Sequence, residues 1–559
     1  MERISPEADQ ALGVLPAFLR QILYNRGCTT FDEAARFLKA EPSGNTDPIQ
    51  ILGMGETVER ILCAIQRDEL IVVYGDYDVD GVTATALLFE VLQKMGARVR
   101  EYIPNRFDEG YGLNNEALET VQRSLGAKLV ITVDCGIRSQ KEAEYARQLG
   151  LDLIITDHHH CSDTLPCGIA VINPKQPGDP YQDKDLAGVG LAYKLAQALL
   201  ATQPVAGVEA DQWLDLVALG TVADLAPLVG ENRALVRRGL EHIRQGQRQG
   251  LLSLIGAAGL NREKVTAADI GFALGPRLNA AGRLESALAA FRLLTATDLF
   301  EAGMLAQQLD NQNHERQQQT RDIQARVEAM ALAENQDQAL IFAADPGFSQ
   351  GIVGLAASRL AELYYRPAIV AYRNEEITRG SCRSIPGFHI TEALDQCSEL
   401  LIRHGGHAAA AGFTVRNENL PELITRMQAM AAQQLGDLSQ LRRTLDADLE
   451  IPLSDLNFKM LNYLDLIQPT GYGNLEPVFV SRNLEVRNHR TVGKEKQHLK
   501  LWVSDGKASI NAIAFRLGHL DGQLPHFVDL MYTFERNEYN GMIDLQLNVR
   551  DLRPSGMAE

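Results

Sequence analysis

The sequence predicts an α/β protein in which a parallel-sheet unit is joined by a long helix to a second α/β unit, followed by a β-barrel. Three observations predict this class. From about residue 70, short and continuously apolar strands alternate with helices, which is typical of a parallel sheet covered on both faces. Residues 304–345 lack glycine and proline and are mostly polar and glutamine-rich, as in a long exposed helix. Near the end, alternating apolar and polar residues lie between glycine and asparagine turns, as in a barrel.

The N-terminal segment is expected to be helical, since Thr30 and Glu33 have the spacing of a capping box. The strands and helices expected in the first unit are Leu70–Tyr74, Val82–Met95, Val99–Ile103, Asn114–Leu125, Lys128–Val133, Gln140–Leu149 and Asp152–Thr156. A mostly helical stretch follows from about 188 to 300. A coiled coil is the alternative for the long helix at Met304–Asn335, although its apolar heptad is not sustained.

The second unit is expected to begin with a strand at Ala339–Ala344, a helix at Ile352–Tyr364 and a strand at Pro367–Tyr372. The barrel strands include Leu499–Val503, Ser509–Ala514 and Met542–Val549. These elements predict five segments: a helical entry (1–48), a first α/β domain (49–300), a connecting helix (301–337), a second α/β domain (338–440) and a barrel (441–559).

The composition is that of a globular protein. The chain has 559 residues, enough for roughly three to four domains, and is 45% hydrophobic and 23% charged. We expect a cytoplasmic location, because there is no bilayer-length apolar run and Met1–Glu7 does not resemble a signal peptide. The seven cysteines form no C-x-x-C pair, which fits a reducing compartment. The net charge of −18 disfavours general nucleic-acid binding, but carboxylates around metal ions would be neutralised in the working protein.

Acidic side chains and histidines follow three of the expected strands. Asp76, Asp78 and Asp80 follow the first strand, Asp134 follows the third, and the segment 157–160 (Asp-His-His-His) follows the fourth. The carboxyl ends of parallel strands form the ligand-binding edge of such sheets. A single aspartate there is more often a turn former or helix cap. Five or six carboxylates without a cation, however, would repel one another by several kcal/mol.

Oxygen ligands with histidine nitrogen suit Mn²⁺ or Mg²⁺ better than a thiolate-binding metal. Two such ions about 4 Å apart support in-line displacement at phosphorus by a metal-activated water. The residues alone therefore predict hydrolysis of a phosphate ester or anhydride.

The chain resembles the DHH phosphoesterase superfamily, named after the Asp-His-His of one of its motifs. The matching motifs, in order, are YGDYDVDG (74–81), IPNRFDEGYGL (103–113), VDCG (133–136), TDHH (156–159), LAGVGLAYKL (186–195), TVADLAPL (221–228), GFALGPRLNAAGR (271–283), QGIVGLAASRL (350–360), RGSCRS (379–384) and GGHAAAAGF (405–413). The resemblance covers nearly the whole chain and is greatest to the bacterial exonucleases specific for single strands. It implies a DHH domain, a DHH-associated domain and an OB-fold.

The resemblance also implies roles for individual residues. The implied ligands of the two divalent ions are Asp78, Asp80, Asp134, His158 and Asp224, with Asp76 as a further one. Asp134 and Asp224 are expected near both ions, His159 at the scissile phosphate, and Asp157 as the residue that orients the histidines. His160 departs from the family pattern and is expected to be a surface residue.

In the DHH-associated domain, the resemblance places His407 and nearby glycine amides by a phosphate. The alternative is a glycine-rich turn that opens an alanine-rich helix. Ser381 and Arg383, helped by Arg106, resemble an anchor for a 5′-phosphate; otherwise each arginine would be an ordinary surface residue. The resemblance also places three residues beside the DNA entry path, with their individual roles open: Arg277, Asn279 and Arg283.

The barrel has a basic segment. Between residues 482 and 507, seven Lys or Arg stand against three acids, a local +4 in an acidic chain. The side chains expected to bind nucleic acid are Lys494, Lys496, Lys500 and Trp502, and Tyr532 could also stack on bases. The alternative is a solvated strand face with a core tryptophan.

The resulting expectation is a 5′→3′ exonuclease that releases mononucleotides from single-stranded DNA in repair and recombination, using two Mn²⁺ or Mg²⁺ ions. The 5′ polarity follows only from the resemblance. The implied partners are single-stranded DNA with a 5′-phosphate, a helicase and a single-strand-binding protein, and the implied state is a monomer. Two alternatives are a hydrolase of short oligonucleotides or small phosphates, which the barrel argues against, and a non-catalytic relative, which the complete set of motif acids argues against.

Overall fold

The computed structural model describes residues 3–42, 44–104, 112–284, 286–334, 338–438, 441–539 and 541–556. The chain begins with helices α1 (Pro6–Ala11), α2 (Ala17–Asn25) and α3 (Phe31–Lys39). The Thr30 hydroxyl accepts the Glu33 N–H, and the Glu33 carboxylate accepts the Thr30 N–H. The expected capping box therefore begins α3.

The first sheet is parallel throughout. Its strands are β1 (Leu70–Gly75), β2 (Arg98–Tyr102), β3 (Leu129–Val133), β4 (Asp152–Thr156) and β5 (Ala170–Ile172). The helices among them are α4 (Met54–Gln66), α5 (Val79–Lys94), α6 (Asn115–Glu119) and α7 (Gln140–Gln148). The strand order is β2–β1–β3–β4–β5. β1, β3 and β4 are almost wholly buried because helices cover both faces, which explains their continuous apolar sequences.

A helical layer completes this domain. Its helices are α8 (Gly188–Thr202), α9 (Leu214–Ala223), α10 (Gly230–Gln245), α11 (Gln249–Ala257), α12 (Ala267–Asp269), α13 (Gly275–Leu284) and α14 (Leu288–Thr295). α8 and α9 both pack against α5, so their ends lie near the carboxyl edge of β1. α9 is buried along nearly its whole length.

The expected long helix is α15 (Leu299–Glu334), 36 residues and about 54 Å in length. The second sheet follows, with strands β6 (Ile341–Asp345), β7 (Ala368–Arg373), β8 (Ile377–Arg383), β9 (Leu401–His407) and β10 (Ala410–Arg416). Its helices are α16 (Val353–Tyr364), α17 (Ile390–Asp395) and α18 (Leu420–Leu435). The order is β6–β7–β8–β10–β9, in which only β6 and β7 are parallel neighbours.

The C-terminal barrel comprises β11 (Leu449–Glu450), α19 (Phe458–Asp465), β12 (Phe479–Val492), β13 (His498–Ser504), β14 (Ser509–Ala514), β15 (Phe527–Tyr539) and β16 (Met542–Pro554). Pairing of β12 with β15 closes five strands into a barrel. Leu19 and Ile22 of α2 lie in the same hydrophobic core as Phe479 and Leu501. The α/β class with a C-terminal barrel is thus confirmed. Among the described residues, no helix is long and apolar enough to cross a membrane.

Candidate active site

Four segments meet at the carboxyl edge of the first sheet. They are the loops that follow β1, β3 and β4, and the end of α9. Nε2 of His158 lies 3.1 Å from Oδ1 of Asp134, 3.6 Å from Oδ2 of Asp224 and 3.9 Å from Oδ2 of Asp80. One imidazole nitrogen therefore faces three carboxylates that come from three other parts of the chain.

Among the residues that the structure describes, three groups of side chains bring their oxygen or nitrogen atoms within 4.8 Å of one another: Asp76, Asp78 and Asp134; Asp134, His158 and His159; and Asp80, His158 and Asp224. Asp134 and His158 each belong to two of these groups. All six side chains expected to bind metal are therefore brought together around a shared centre.

These side chains fit a divalent cation. Oδ1 of Asp134 and Nε2 of His158 are buried, and among the described residues neither has a hydrogen-bond partner although they lie 3.1 Å apart. A buried polar atom without a partner is costly, and so is a group of carboxylates without a counter-charge. Oxygen donors with one imidazole nitrogen are the ligand set of Mn²⁺ or Mg²⁺.

Asp80 is held rigidly by backbone amides. Although it lies in the first turn of α5, its carboxylate accepts the N–H groups of Gly188 (2.6 Å) and Val189 (2.8 Å) at the start of α8. The positive end of the α8 dipole favours an ionised carboxylate there. Sequence reasoning missed these two amides; the signal was the LAGVGLAYKL motif, which was matched without a role.

Asp134 needs an unusual backbone and a small neighbour. Its φ angle is +62°, a left-handed conformation that aspartate tolerates better than most residues. A Cβ atom at Gly188 would lie only 2.7 Å from the Cβ of Asp134. Gly188 is thus required at the point where α8 begins beside this carboxylate.

The aspartates are poised to release protons when a cation binds. Burial raises the pKa of Asp80 and of Asp134 well above the usual value, and nearby carboxylates add to the effect. Burial and the charge of Asp78 raise the pKa of Asp224 to about 7. A bound cation would remove the repulsion and favour the ionised carboxylates.

The two histidines of the motif differ in protonation. Burial, followed by the charge of His159, lowers the pKa of His158 to about 3, so His158 is neutral and can bind metal. The hydrogen bond from Nδ1 of His159 to Asp157 (2.7 Å) raises the pKa of His159 to about 9. Asp157 is itself fixed by the N–H of Ile137 at 2.9 Å. His159, whose side chain is 55% exposed, therefore presents a positive charge to solvent.

The other residues of this domain that the sequence singled out lie at different distances from the candidate metal site. His160 is exposed, as expected for a surface residue. Asn279 lines a cleft of about 180 Å³ together with Asp78, Asp80 and Asp224. Arg277 lies outside that lining and forms an ion pair with Asp310 of α15 at 2.8 Å. The Arg283 side chain and the whole of Arg106 lie outside the described residues.

The second domain brings Ser381 and Arg383 together on β8. An Arg383 Nη1 donates to Oγ of Ser381 at 3.3 Å, and burial lowers the pKa of Arg383. Gly354, in the first turn of α16, approaches so closely that a Cβ atom there would lie 2.9 Å from that Oγ. His407 is exposed at the end of β9, and residues 405–413 form a strand pair. The alternative of an alanine-rich helix is therefore wrong.

On the barrel, inward and outward residues alternate along β13. Lys500 and Trp502 point outward, and Trp502 is 41% exposed. Lys494 and Lys496 lie exposed in the turn before this strand. Tyr532 is wholly buried, and its hydroxyl bonds to Ser481, so the expectation that Tyr532 stacks on bases is wrong. Tyr532 continues the regular inward alternation of β15, in which Val528, Leu530 and Phe534 are buried as well.

Comparison with known proteins gives consistent matches. Family models match for the DHH family N-terminal domain (residues 70–221), the DHHA1 domain (336–433) and the RecJ OB domain (447–551). The single-stranded-DNA-specific exonuclease RecJ of Bacillus subtilis is 39% identical over 95% of this chain and 67% of its own length. The corresponding Dickeya dadantii protein is 37% identical over 97% and 96%. The crystal structure of Thermus thermophilus RecJ with Mn²⁺ matches with a TM-score of 0.84 at 29% identity, over 100% of this chain and 80% of that one. The Mg²⁺ complex matches with a TM-score of 0.78 at 28% identity, over 100% and 78%.

Proposed function

Because this chain belongs to the RecJ family of single-stranded-DNA-specific exonucleases, we propose that it removes mononucleotides from the 5′ end of single-stranded DNA by metal-dependent hydrolysis. The observation that carries this proposal is the position of His158 among Asp80, Asp134 and Asp224. The presence of the barrel favours a long strand over a small phosphate as substrate.

The cations would be held by Asp76, Asp78, Asp80, Asp134, His158 and Asp224. When bound, two such ions supply a nucleophilic water and neutralise charge on the phosphodiester. The protein's own contribution is rigid positioning: backbone amides fix Asp80, and Asp157 fixes the ring of His159. Protonated His159 would donate a hydrogen bond to a non-bridging oxygen of the scissile phosphate, where its charge stabilises the developing negative charge.

In this proposal the second domain recognises the 5′ end of the strand and so sets the direction of degradation. Ser381 and Arg383 lie beside the first turn of α16. The hydroxyl, the guanidinium and the amides of that turn are groups that would suit a terminal phosphate. Arg106 would assist this anchor, and His407 would contact a phosphate of the substrate. Downstream, the outward face of β13 would bind the strand through Lys500 and Trp502, and the preceding turn through Lys494 and Lys496.

We also propose that the protein acts as a cytoplasmic monomer in DNA repair and recombination. A helicase would supply the unpaired strand, because the enzyme requires single-stranded substrate. A single-strand-binding protein would cover the part of the strand that has not yet been degraded. Analytical ultracentrifugation and pull-down with the helicase and the single-strand-binding protein would test these assignments.

The proposal is tested with single-stranded DNA labelled at either end and carrying a 5′-phosphate or a 5′-hydroxyl, with Mn²⁺ present. We expect immediate release of labelled mononucleotide only from the 5′ end, loss of activity with chelator, and no cleavage of duplex. The Arg383→Ala variant should lose the preference for 5′-phosphate while the wild-type metal dependence persists. Turnover of dinucleotides or pyrophosphate without cleavage of long strands would contradict the proposed substrate.

A further inference from the structure

Two carboxylates of the proposed metal site reach the centre from segments that share one buried contact. Asp80 is held by the first amides of α8, and the first of these, from Gly188, lies three residues after Asp185. Asp224 ends α9, three residues before Pro227. Asn232, near the start of α10, is 1% exposed and lies between these two segments.

The Asn232 side chain joins the two segments directly. Its Nδ2 donates to the carbonyl oxygen of Asp185 at 2.6 Å and to that of Pro227 at 3.2 Å. Both partners are acceptors, so only the amide nitrogen can occupy this position. This NH₂ group thereby sets the distance between the segment before α8, whose amides hold Asp80, and the segment that follows Asp224.

The C-terminal domain holds the other side of the Asp224 segment. The N–H of Leu228 donates to the carbonyl of Tyr472 at 2.7 Å. A Cβ atom at Gly473, where φ is +77°, would lie 3.0 Å from Cβ of Pro227. Asn474, itself 1% exposed, keeps this loop in shape by donating to the carbonyls of Ile467 and Pro469 at 3.0 and 2.8 Å.

We propose that Asn232 and the loop at 471–474 are positioning elements of the metal site, which set the separation of Asp80 and Asp224 from opposite sides. The inference rests on the proposed function, since that separation matters only if these carboxylates share a cation. It gives the barrel domain a supporting role beside the metal site, in addition to its proposed task of binding the strand. Neither Asn232 nor Gly473 touches the substrate or the metal in this scheme.

The test measures Mn²⁺ binding to the full-length protein by isothermal titration calorimetry, independently of cleavage. Outer partners of metal ligands typically contribute about 10- to 100-fold to metal affinity. We therefore expect Asn232→Ala to weaken Mn²⁺ binding about tenfold or more, and to raise the Mn²⁺ concentration needed for half-maximal activity. The rate at saturating Mn²⁺ and the affinity for single-stranded DNA in chelator should stay close to wild type.

Two controls separate positioning from general damage. Asn417→Ala removes the bond from Thr378 Oγ1 and the bond to the Asn374 carbonyl in the second domain, and should leave Mn²⁺ affinity unchanged. Gly473→Ala is paired with Gly522→Ala, because Gly522 also has a positive φ of +81° but a Cβ atom there would have nothing within 4 Å. Only Gly473→Ala should weaken Mn²⁺ binding.

The outcomes are distinct. If wild-type protein binds no Mn²⁺, the proposed metal site itself fails. If wild type binds Mn²⁺ and Asn232→Ala binds it within twofold as tightly, the positioning role of Asn232 is overturned. If Asn232→Ala does not fold, the glycine pair decides, and equal Mn²⁺ affinities for the two glycine variants overturn the participation of the barrel domain.

Discussion

Removing the metal should make the stability of the first α/β domain depend on pH in an unusual direction. In the folded, metal-free protein the pKa of Asp224 is raised to about 7, chiefly by burial, from an ordinary value of 3.8. Folding therefore takes up a proton between these values. The contribution of this group to stability is fully present below pH 3.8 and is lost as the pH rises through about 7.

The magnitude follows from the two pKa values. One pKa unit corresponds to about 1.4 kcal/mol, so Asp224 alone removes about 4 kcal/mol across its whole range. Between pH 5 and pH 7 the expected loss is about 2–3 kcal/mol. Asp80 and Asp134 act in the same direction, because their pKa values are raised as well. Mn²⁺ binds the ionised carboxylates, so its stabilising effect should grow over this range.

The assay is urea unfolding in chelator and in Mn²⁺ at pH 5.5, 6.5 and 7.5. The chain has two tryptophans, and the buried Trp213 lies beside α9 in the domain of interest. A Trp502→Phe background makes Trp213 the reporter of that domain. Asp224→Asn serves as the control and should reduce the pH dependence in chelator. A free energy of unfolding that stays constant or increases from pH 5.5 to 7.5 without metal would refute the reasoning.

Outcomes are also expected for four further variants. Asp134→Asn should lower the cleavage rate by about 10³-fold or more, because bound metal supplies several kcal/mol to the transition state, while gel-shift affinity for single-stranded DNA persists. Trp502→Ala should weaken strand binding by about 1–3 kcal/mol in a fluorescence-anisotropy titration. Lys500→Ala should reduce the slope of log Kd against log salt concentration by about 0.7. Unchanged affinity or an unchanged slope would mean that β13 is not part of the interface. Thr30→Ala should cost about 1 kcal/mol in urea unfolding of the N-terminal helices and leave the cleavage rate unchanged, whereas no loss of stability would contradict the capping box.

Much of the fold could be predicted because its patterns are local. Continuous apolar strands between helices indicated the parallel sheet, and Thr30 with Glu33 indicated the start of α3. The aspartates after β1 and β3 could be expected at one edge because parallel strands end there together. Asp224 has no such local signal, since it ends a buried helix; only the resemblance of TVADLAPL singled it out.

Other features depend on contacts that no local pattern contains. The four alanines at 408–411 favour a helix by propensity, yet pairing between β9 and β10 prevails. Asn232 reads as an ordinary helix residue, because its two carbonyl partners lie 47 and 5 residues away in the chain.

The core shared by α2 and the barrel has a consequence for biosynthesis. Arg26 forms an ion pair with Asp448, a partner 422 residues later in the chain. At a synthesis rate of about 5–20 residues per second, the ribosome needs about 20 to 80 s to deliver that partner. During this interval the apolar faces of the first helices have no barrel to cover them. The nascent chain is thus a natural client for chaperones that shield hydrophobic segments, and faster or slower translation should change the yield of native protein.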